Sequence, residues 1–383
     1  MKRKICFIIT SQIHYARCHA LMEAISNHPD LELQVAVAAS AILPQYGDVL
    51  TSMEEDGIKC DAKIVMTLAG GSSVAMAKTT GIGITEFATA FDNLQPDIVL
   101  VRGDRYEVLA AAIAASYMNI PIAHLEGGDV SGSIDESVRH AVTKLSHIHF
   151  TSNEKSATRV KQLGENPEYV FVTGCPELET LSKYETDITS EELNKHGVGE
   201  SLDISKPFLI VMYHPVTTED DNRESADELL NVINNMGIQT VWFWPNVDAG
   251  TDDVAKAIRV FRENQNPQHM HFVKYLKPDK FIALLKKCAC LVGNSSAGIK
   301  ESSFLGIPTV NIGTRQEGRL RGPNVMDVKD GPDAIQKAIE EQIEHGPYEP
   351  SNIYFKENSG SAIADMLAKI ELYEQKRFFD LNV

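Results

Sequence analysis

The sequence predicts an α/β protein built from two doubly wound domains with a cleft between them. Its 383 residues leave room for two or three domains of about 150 residues each. Short apolar runs alternate with amphipathic stretches in both halves of the chain, which is typical of βαβ units around a parallel sheet. A polar, helix-prone segment over 176–206, followed by Pro207, interrupts this alternation. We therefore expect an N-terminal domain over 1–180, a connecting helical segment over 181–206, a C-terminal domain over 207–358, and a C-terminal helical segment over 359–383 that can pack back on the N-terminal domain.

Each element of the first half follows from its own hydrophobic pattern. Short runs rich in β-branched residues predict strands, and apolar residues at a spacing of three and four predict helices. The predicted strands are Lys4–Ile9, Glu32–Ala38, Ile98–Val101, Ile122–Leu125, His147–Thr151 and Val170–Thr173. The predicted helices are 16–27, 46–56, 84–94, 106–118, 135–145 and 153–163.

The second half repeats the pattern without repeating the sequence. Its predicted strands are Phe208–Tyr213, Gln239–Trp244, His271–Lys274, Leu291–Gly293 and Thr309–Ile312. Its predicted helices are 222–236, 252–264, 278–287, 298–305 and 331–344, with a last helix over 359–374. In sheets of this kind, ligands lie beyond the carboxyl ends of the strands, so the loops at those ends are the places to look for a site.

Composition and charge exclude several classes of function. Lys and Arg number 36 and Asp and Glu number 53, which gives a formal net charge of −17 and argues against nucleic acid or an anionic membrane as partner. The first apolar run, Ile5–Ile9, is too short for a signal peptide, and Asn119 and Pro121 interrupt the longest one. The six cysteines show no CxxC spacing, which disfavours disulfides and zinc. We expect a cytoplasmic protein with reduced, buried thiols.

Several well-known motifs are absent. The sequence contains no GxGxxG after a strand, no GxxxxGK[ST], no HExxH and no GxSxG. Dinucleotide binding, P-loop phosphoryl transfer, zinc peptidase chemistry and serine hydrolase chemistry therefore lack support from the sequence.

Acidic, basic and imidazole side chains gather at the predicted carboxyl edge of the first sheet. The acidic members are Asp104, Glu126 and Asp135, and the other polar members are Arg102, Arg105, His124 and His149. Carboxylates and imidazoles that lie close together can differ in pKa, which acid–base catalysis requires. Asp104 and Asp135 could instead be helix caps, each worth about 1 kcal/mol, but three carboxylates on three successive loops favour a functional site. The alternative of a metal on His124, Glu126 and Asp135 lacks a fixed His–His spacing, and we expect no metal.

Loops of the second half suit an anionic ligand. His214 follows a predicted strand, and the run Gly293–Gly298 leads from a strand into a helix with small residues, hydroxyl groups and free N–H groups that fit a phosphate. A Ser-capped helix is the alternative for that run. Three arginines within 313–322 indicate an anion site, for which the alternative is a solvated loop. Asn246 and Asp248, after a third strand, are further candidates for ligand contact.

At these loops the chain resembles the hydrolysing UDP-N-acetylglucosamine 2-epimerases, which make N-acetylmannosamine for sialic acid. The similar segments run in the same order along most of the chain. They are Gly103-Asp104-Arg105, His124–Gly128, Ser131–Asp135 with Arg139-His140, Thr143-Lys144-Leu145, His214–Thr218, Pro245–Gly250, Gly293–Ser296 with Glu301, and Gly313–Gln316.

The resemblance implies two Rossmann-like domains facing across a cleft, as in the GT-B type, and a reaction without NAD, metal or other cofactor. A base removes the proton on carbon 2 while UDP leaves carbon 1, and water then adds to the bound glycal to give the free 2-epimer. It also implies a UDP-sugar substrate and a homodimer or homotetramer. The implied catalytic residues are Asp104, Glu126, Asp135 and His214, and the implied substrate-binding residues are Arg105, His124, Arg102, His149, Asn246, Asp248, Ser295, Ser296, Glu301 and Arg315.

Two positions depart from the pattern of the family. Gln12 stands where the family usually has arginine, and Arg102 stands where it often has histidine or an apolar residue. These changes leave open a 2-epimerase acting on UDP-2,4-diacetamido-trideoxyglucose or on a GDP-linked analogue. A GT-B glycosyltransferase, a non-catalytic nucleotide-sugar binder and a non-hydrolysing epimerase are the remaining alternatives.

Overall fold

The computed structural model has two compact units, each built around its own sheet. It describes residues 1–43, 49–68, 72–183, 186–216, 219, 221–245, 250–329 and 331–380. Unit 1 comprises Met1–Asp129, Ile134–Thr180 and Tyr354–Val383, and unit 2 comprises Val130–Ser133 and Leu181–Ile353. The predicted α/β class with two largely parallel sheets is confirmed.

The sheet of unit 1 has seven parallel strands in the order β3-β2-β1-β4-β5-β6-β7. The strands are β1 (Arg3–Ile9), β2 (Leu31–Ala38), β3 (Ala62–Ile64), β4 (Ile98–Arg102), β5 (Ile122–Leu125), β6 (Ile148–Thr151) and β7 (Val170–Val172). The order reverses between β1 and β4, so the connections leave this pair in opposite directions and open a crevice at its carboxyl ends.

The sheet of unit 2 has the order β14-β13-β12-β9-β10-β11-β8 and reverses between β9 and β12. Its strands are β8 (Val198–Gly199), β9 (Phe208–Met212), β10 (Gln239–Phe243), β11 (Met270–Val273), β12 (Cys290–Gly293), β13 (Thr309–Ile312) and β14 (Val325–Val328). β8 pairs with β11 in the antiparallel sense at one edge, and the other pairs are parallel.

Helices connect the strands in both units. They are α1 (Gln12–Asn27), α2 (Val49–Glu55), α3 (Ser73–Leu94), α4 (Tyr106–Tyr117), α5 (Ile134–Leu145), α6 (Glu154–Gln162), α7 (Pro176–Lys183), α8 (Ser190–Asn194), α9 (Asn222–Met236), α10 (Thr251–Gln265), α11 (Pro278–Lys287), α12 (Glu301–Leu305), α13 (Pro332–His345) and α14 (Ser359–Lys369). None of these helices is long and apolar enough to cross a bilayer.

Alternating side chains of β1 divide the interior of unit 1 into two cores. Ile5, Phe7 and Ile9 belong to a cluster that includes residues of α1 and α14, whereas Cys6 and Ile8 belong to a cluster with residues of α3 and α4. A strand with both faces covered is apolar at every position, which explains the continuous apolar run in the sequence.

The predicted elements differ from the structure in identifiable ways. The short strands β3, β8 and β14 were not predicted. The predicted helix 84–94 is the second half of α3, which begins eleven residues earlier, after Ser72 accepts a hydrogen bond from the N–H of Ala75. Glycines lowered the helical signal there, and one of them, Gly83, lies against Met66, where a Cβ would be 2.3 Å from the Met66 methyl carbon. The predicted helix 298–305 is a 3₁₀ turn over Ser296–Gly298 followed by the five-residue α12.

Candidate active site

The crevice of unit 1 opens where β1 and β4 end, and a neutral histidine joins the two loops there. His14, in the first turn of α1, lies with Nε2 3.0 Å from the carbonyl oxygen of Arg102 and Nδ1 3.1 Å from the hydroxyl of Thr10. Burial and the nearby charge of Arg102 lower the pKa of His14 to about 3. The ring is therefore uncharged at neutral pH, with Nε2 donating to the carbonyl and Nδ1 accepting from the hydroxyl.

One buried guanidinium is shared by two carboxylates beside this histidine. Arg102 is 5% exposed, and its Nη2 donates to Oε1 of Glu126 and, over 2.8 Å, to Oε1 of Glu177. The Glu126 side chain is 12% exposed and the Glu177 side chain is 3% exposed. Two negative charges thus share one positive charge in a poorly solvated place, which is a setting that perturbs proton affinity.

Glu126 has a backbone conformation that residues other than glycine rarely adopt. Its φ is +66°, and a left-handed conformation of this kind costs of order 1–3 kcal/mol. Its N–H donates to the carbonyl of Phe150 on β6 over 2.9 Å, and its carboxylate is held by Arg102. Backbone strain at a carboxylate at the end of a strand is an independent indication of function.

A second buried arginine bonds Asp104 and is influenced by the charge of Asp135. Arg139 on α5 is 1% exposed, donates through Nη2 to Oδ2 of Asp104, and donates through Nη1 to the carbonyl of Asp129 over 3.0 Å. Burial alone would lower the pKa of Arg139, but Asp104 and Asp129, with a further contribution from Asp135, outweigh it and raise that pKa. Asp104 and Asp135 therefore act on the same guanidinium.

The two arginine clusters belong to neighbouring strands of the sheet. Arg102 is opposite Leu125 in the β4–β5 register, and the N–H of Gly103 donates to the carbonyl of Leu125 over 3.0 Å. Asp104 and Glu126 thus follow adjacent parallel strands, as the sequence predicted for this edge. Their catalytic roles stay predictions.

Three residues predicted to bind substrate are engaged within unit 1. His124 has no exposed surface, lies with Nε2 2.9 Å from the carbonyl of Gly103 and Nδ1 3.2 Å from the Thr143 hydroxyl, and has a pKa lowered to about 4 by burial. His149 is also fully buried, with Nε2 3.1 Å from Oε2 of Glu165. Arg105 makes two hydrogen bonds, of 3.1 and 3.0 Å, to the carboxylate of Glu107. In this structure they support the loops at the sheet edge.

At the crevice of unit 2, two reciprocal hydrogen bonds join the residues that follow β9 and β12. The N–H of His214 donates to Oδ1 of Asn294, and Nδ2 of Asn294 donates to the carbonyl of His214, both over 2.8 Å. Gly293, with φ +133°, permits this approach, because a Cβ there would lie 2.1 Å from the Met212 carbonyl oxygen. His214 itself is 8% exposed.

The arginine-containing loop of unit 2 is attached to the same asparagine. Nη1 of Arg315 and Nε2 of Gln316 donate to the carbonyl of Asn294 over 3.1 and 2.8 Å. Ser295 is nearly buried and its hydroxyl accepts from the N–H of Ala297 over 3.3 Å, as a cap of the 3₁₀ turn that begins at Ser296.

Three further predicted binding residues lie in unit 2 or outside the described residues. Glu301 is 5% exposed at the first position of α12. Asn246 and Asp248 lie outside the described residues.

Sequence reasoning missed the residues that organise these clusters. Glu177 carries no local signal, because it comes 51 positions after Glu126 and follows β7 at the start of the polar segment 176–206, near the end of the predicted N-terminal domain. Arg139 was named only in the segment Arg139-His140 and was not among the predicted site residues, although it lies one helical turn after Asp135. Asn294 lay within the predicted phosphate run, but side-chain clamping of a backbone has no sequence signature.

One group of side chains in the described ranges has the spacing of metal ligands. Atoms of Glu126, Cys175 and Glu177 lie within 4.8 Å of one another. Arg102 already provides a positive charge to both carboxylates of this group, so the donor set is matched to a guanidinium.

Comparison with known proteins places the chain among nucleotide-sugar enzymes. The family described as UDP-N-acetylglucosamine 2-epimerase matches residues 23–368. A "UDP-N,N'-diacetylbacillosamine 2-epimerase (hydrolyzing)" of Legionella pneumophila is 31% identical over 98% of this chain and 98% of its own length. A "GDP/UDP-N,N'-diacetylbacillosamine 2-epimerase (hydrolyzing)" of Campylobacter jejuni is 32% identical over 85% of this chain and 84% of its own. The chain belongs to the UDP-N-acetylglucosamine 2-epimerase family, and the resemblance drawn from its sequence is confirmed at that level.

A solved structure agrees with the fold. The UDP-GlcNAc 2-epimerase of Neisseria meningitidis, crystallised with UDP-GlcNAc, superimposes with a TM-score of 0.79 over 96% of this chain and all of that one, at 18% identity.

Proposed function

We propose that this protein is a hydrolysing 2-epimerase that converts UDP-N-acetylglucosamine, or a close UDP-linked acetamido sugar, to UDP and the free 2-epimer. The observation that carries the proposal is Glu126. It is a strained, largely buried carboxylate at the end of β5 that shares Arg102 with a second carboxylate, next to the loop of Asp104. Family membership and two relatives named as hydrolysing enzymes support it.

The first half-reaction removes the elements of UDP from the sugar. Glu126 takes the proton from carbon 2, the electron pair of that C–H bond forms a double bond between carbons 1 and 2, and the bond from carbon 1 to the diphosphate oxygen breaks with its electrons leaving on UDP. The proton on carbon 2 is weakly acidic, so a poorly solvated carboxylate within reach of it is required.

The second half-reaction hydrates the glycal. Hydroxide from water adds to carbon 1, and a proton is delivered to carbon 2 from the face opposite the one it left. Asp104, bonded to Arg139, and Asp135, whose charge acts on the same arginine, are the carboxyl groups proposed to transfer these protons. The proton held by Glu126 passes to the departing diphosphate or to solvent, so that UDP-sugar and water give UDP and the free 2-epimer and the enzyme returns to its starting state.

The leaving diphosphate requires donors and positive charge. Arg315 and the N–H-rich turn at Ser295 and Ser296 are proposed to supply them, with His214 nearby in the same crevice of unit 2 and Glu301 proposed for the ribose. We also propose a homodimer or homotetramer, which light scattering would determine.

A second substrate is favoured by the names of the relatives. Two proteins that are 31% and 32% identical to this chain are named for a nucleotide-linked diacetamido sugar. Gln12 and Arg102 alter the charges at the unit 1 crevice relative to the family pattern, and such changes can shift which sugar substituent is accepted.

Product analysis with both sugars tests the proposal. The protein is incubated separately with UDP-N-acetylglucosamine and with the UDP-linked 2,4-diacetamido-trideoxy sugar, and the products are separated by anion exchange. We expect at least one of the two sugars to give free UDP and a neutral 2-epimer in equal amounts. The sugar with the larger kcat/KM is then the preferred substrate. An epimerised sugar still attached to its nucleotide would instead identify a non-hydrolysing epimerase.

A further inference from the structure

We propose that Glu177 is a positioning residue for the epimerisation: by holding Arg102, it limits how far that arginine neutralises Glu126. This inference rests on the proposed function for its consequence in turnover, but the coupling between the two carboxylates can be measured without any substrate.

The geometry of the shared contact is the first support. Both carboxylates use their Oε1 atoms on one nitrogen, Nη2 of Arg102, so each competes with the other for the same donor. The three side chains are between 3% and 12% exposed, and water screens their interaction little.

The charges around Glu126 are the second support. Titratable and charged groups near Glu126 include Arg102 on β4, His14 and Cys18 on α1, and Cys175 and Glu177 after β7. The charges of Arg105 and Arg17 also act on this cluster, through His14 and Cys18. His14 is neutral, as described above, and burial raises the pKa of the Cys18 thiol to about 12. Glu177 is the second carboxylate that bonds Arg102, and its negative charge offsets that guanidinium.

Unequal burial divides the roles of the two carboxylates. Glu126, with 12% of its side chain exposed, is the more accessible of the pair and is the one assigned to the sugar, whereas only 3% of the Glu177 side chain is exposed. Glu177 is the second residue of α7, directly after Pro176, so the backbone of that helix fixes its position. It acts through Arg102 and does not touch the substrate.

The chemical need explains why a shared arginine is useful. A buried carboxylate with an arginine to itself binds protons weakly and is a poor base toward a C–H bond. A second carboxylate on the same arginine raises the proton affinity of the first, as like charges do when they share a site. Glu177 thereby keeps Glu126 basic while Arg102 still orients it.

The test follows the titration of Glu126 by NMR. Deuterated protein carrying glutamate labelled with ¹³C at the side-chain carboxyl is titrated, and the Glu126 signal is assigned by its loss in Glu126→Gln. In Glu177→Gln we expect the midpoint of Glu126 to move down by about one pH unit or more, because Arg102 then serves Glu126 alone. Glu179→Gln is the matched control, since Glu179 lies on the same helix and bonds the N–H of Gly360, and it leaves the midpoint in place.

Glu177→Asp covers the case in which Glu177→Gln does not fold. It keeps the charge but withdraws it by one methylene, and we expect a smaller shift in the same direction. A midpoint that moves no further in Glu177→Gln or Glu177→Asp than in Glu179→Gln overturns the inference.

Turnover by the same variants separates this inference from the proposed function. In Glu177→Gln the acidic limb of the kcat profile should follow the NMR midpoint to lower pH, and kcat at pH 7 should fall about three- to tenfold with KM nearly unchanged. If the Glu126 midpoint shifts in Glu177→Gln but the wild-type protein releases no UDP, the proposed function fails and the coupling stands. Normal turnover without a shifted midpoint would do the reverse.

Discussion

At the scale of single residues, Glu126 combines a strained backbone with a carboxylate that shares its counter-charge. Both features lower stability, and neither helps unit 1 to fold. Residues of this kind persist where their chemistry is needed. The sequence could predict Glu126, Asp104 and Asp135 because each follows or begins an element with a clear pattern. It could not predict Glu177 or the φ of Glu126, which depend on contacts distant along the chain.

Replacement of Glu126 by glutamine tests its role at constant shape. We expect kcat to fall by at least about 100-fold, the usual effect of losing a general base. The melting temperature should not fall, since Arg102 then pairs with Glu177 alone. Steady-state kinetics and circular dichroism measure the two quantities, and a variant with kcat within a factor of five of wild type would contradict the role given to Glu126.

Replacement of Asp104 by asparagine should reduce stability as well as activity. Arg139 is 1% exposed and would lose the carboxylate to which it donates a hydrogen bond, although the bond to the Asp129 carbonyl and the charge of Asp135 remain. We expect the free energy of unfolding to fall by about 1–3 kcal/mol in urea titrations. The control is Glu136→Gln on α5, the helix that carries Arg139. The Glu136 side chain is 37% exposed beside His140, so this change should alter the free energy of unfolding by less than about 0.5 kcal/mol.

At the scale of elements, the segment after α14 shows why a pattern in the sequence can fail. The pattern predicted a helix to residue 374, but α14 ends at Lys369. Beyond it, the Tyr373 hydroxyl donates to the carbonyl of His147 over 3.0 Å, and Nζ of Lys376 donates to Oε2 of Glu165 over 2.6 Å. These tertiary contacts outweigh helix propensity, which is worth only tenths of a kcal/mol per residue.

The buried carboxylate of Glu165, which accepts from Lys376, predicts a dependence of stability on pH. Burial acts to raise the pKa of Glu165, but His149, Lys376 and Lys144 outweigh it and lower that pKa to about 2. Because the folded pKa lies below the unfolded one, the stabilisation is complete above about pH 4.5 and is lost as the pH falls toward 2.

Glu165→Gln isolates this contribution. We expect the variant to be less stable than wild type at pH 7 and to lose less stability between pH 4.5 and 2, so that the two curves converge. Urea unfolding at a series of pH values gives both curves, and parallel curves across that window would refute the assignment.

At the scale of the whole molecule, the segment Ser131–Asp135, which carries part of the family resemblance, is divided between the two units. Residues Val130–Ser133 belong to unit 2, whereas the stretches before and after them belong to unit 1. Within unit 2, the N–H of Gly132 donates to the carbonyl of Arg315 over 3.1 Å, and Nε of Arg319 donates to the carbonyl of Val130 over 3.2 Å. The alternation of strands and helices sufficed to predict two parallel sheets. The strand order and the assignment of Val130–Ser133 to unit 2 depend on packing that no local pattern encodes.

Gly132→Ala tests whether the segment Val130–Ser133 supports the loop that carries Arg315 and Arg319. A Cβ at Gly132 would lie 2.0 Å from the carbonyl oxygen of Thr314, so the backbone next to Arg315 must shift. We expect the affinity for UDP, measured by calorimetry, to fall about tenfold or more. Gly81→Ala, where nothing lies within 4 Å in the interior of α3, should bind UDP as wild type does and be slightly more stable. Equal affinities in the two variants would contradict this account.

The most direct measurement of the central claim is the isotope content of the product formed in heavy water. If the carboxylates at this sheet edge exchange the proton on carbon 2 while UDP departs, NMR of the released mannose-configured sugar will show one deuterium at carbon 2 per turnover, and Glu126→Gln will release almost none. A product that keeps its original hydrogen at carbon 2, or a wild-type rate in Glu126→Gln, would contradict the account.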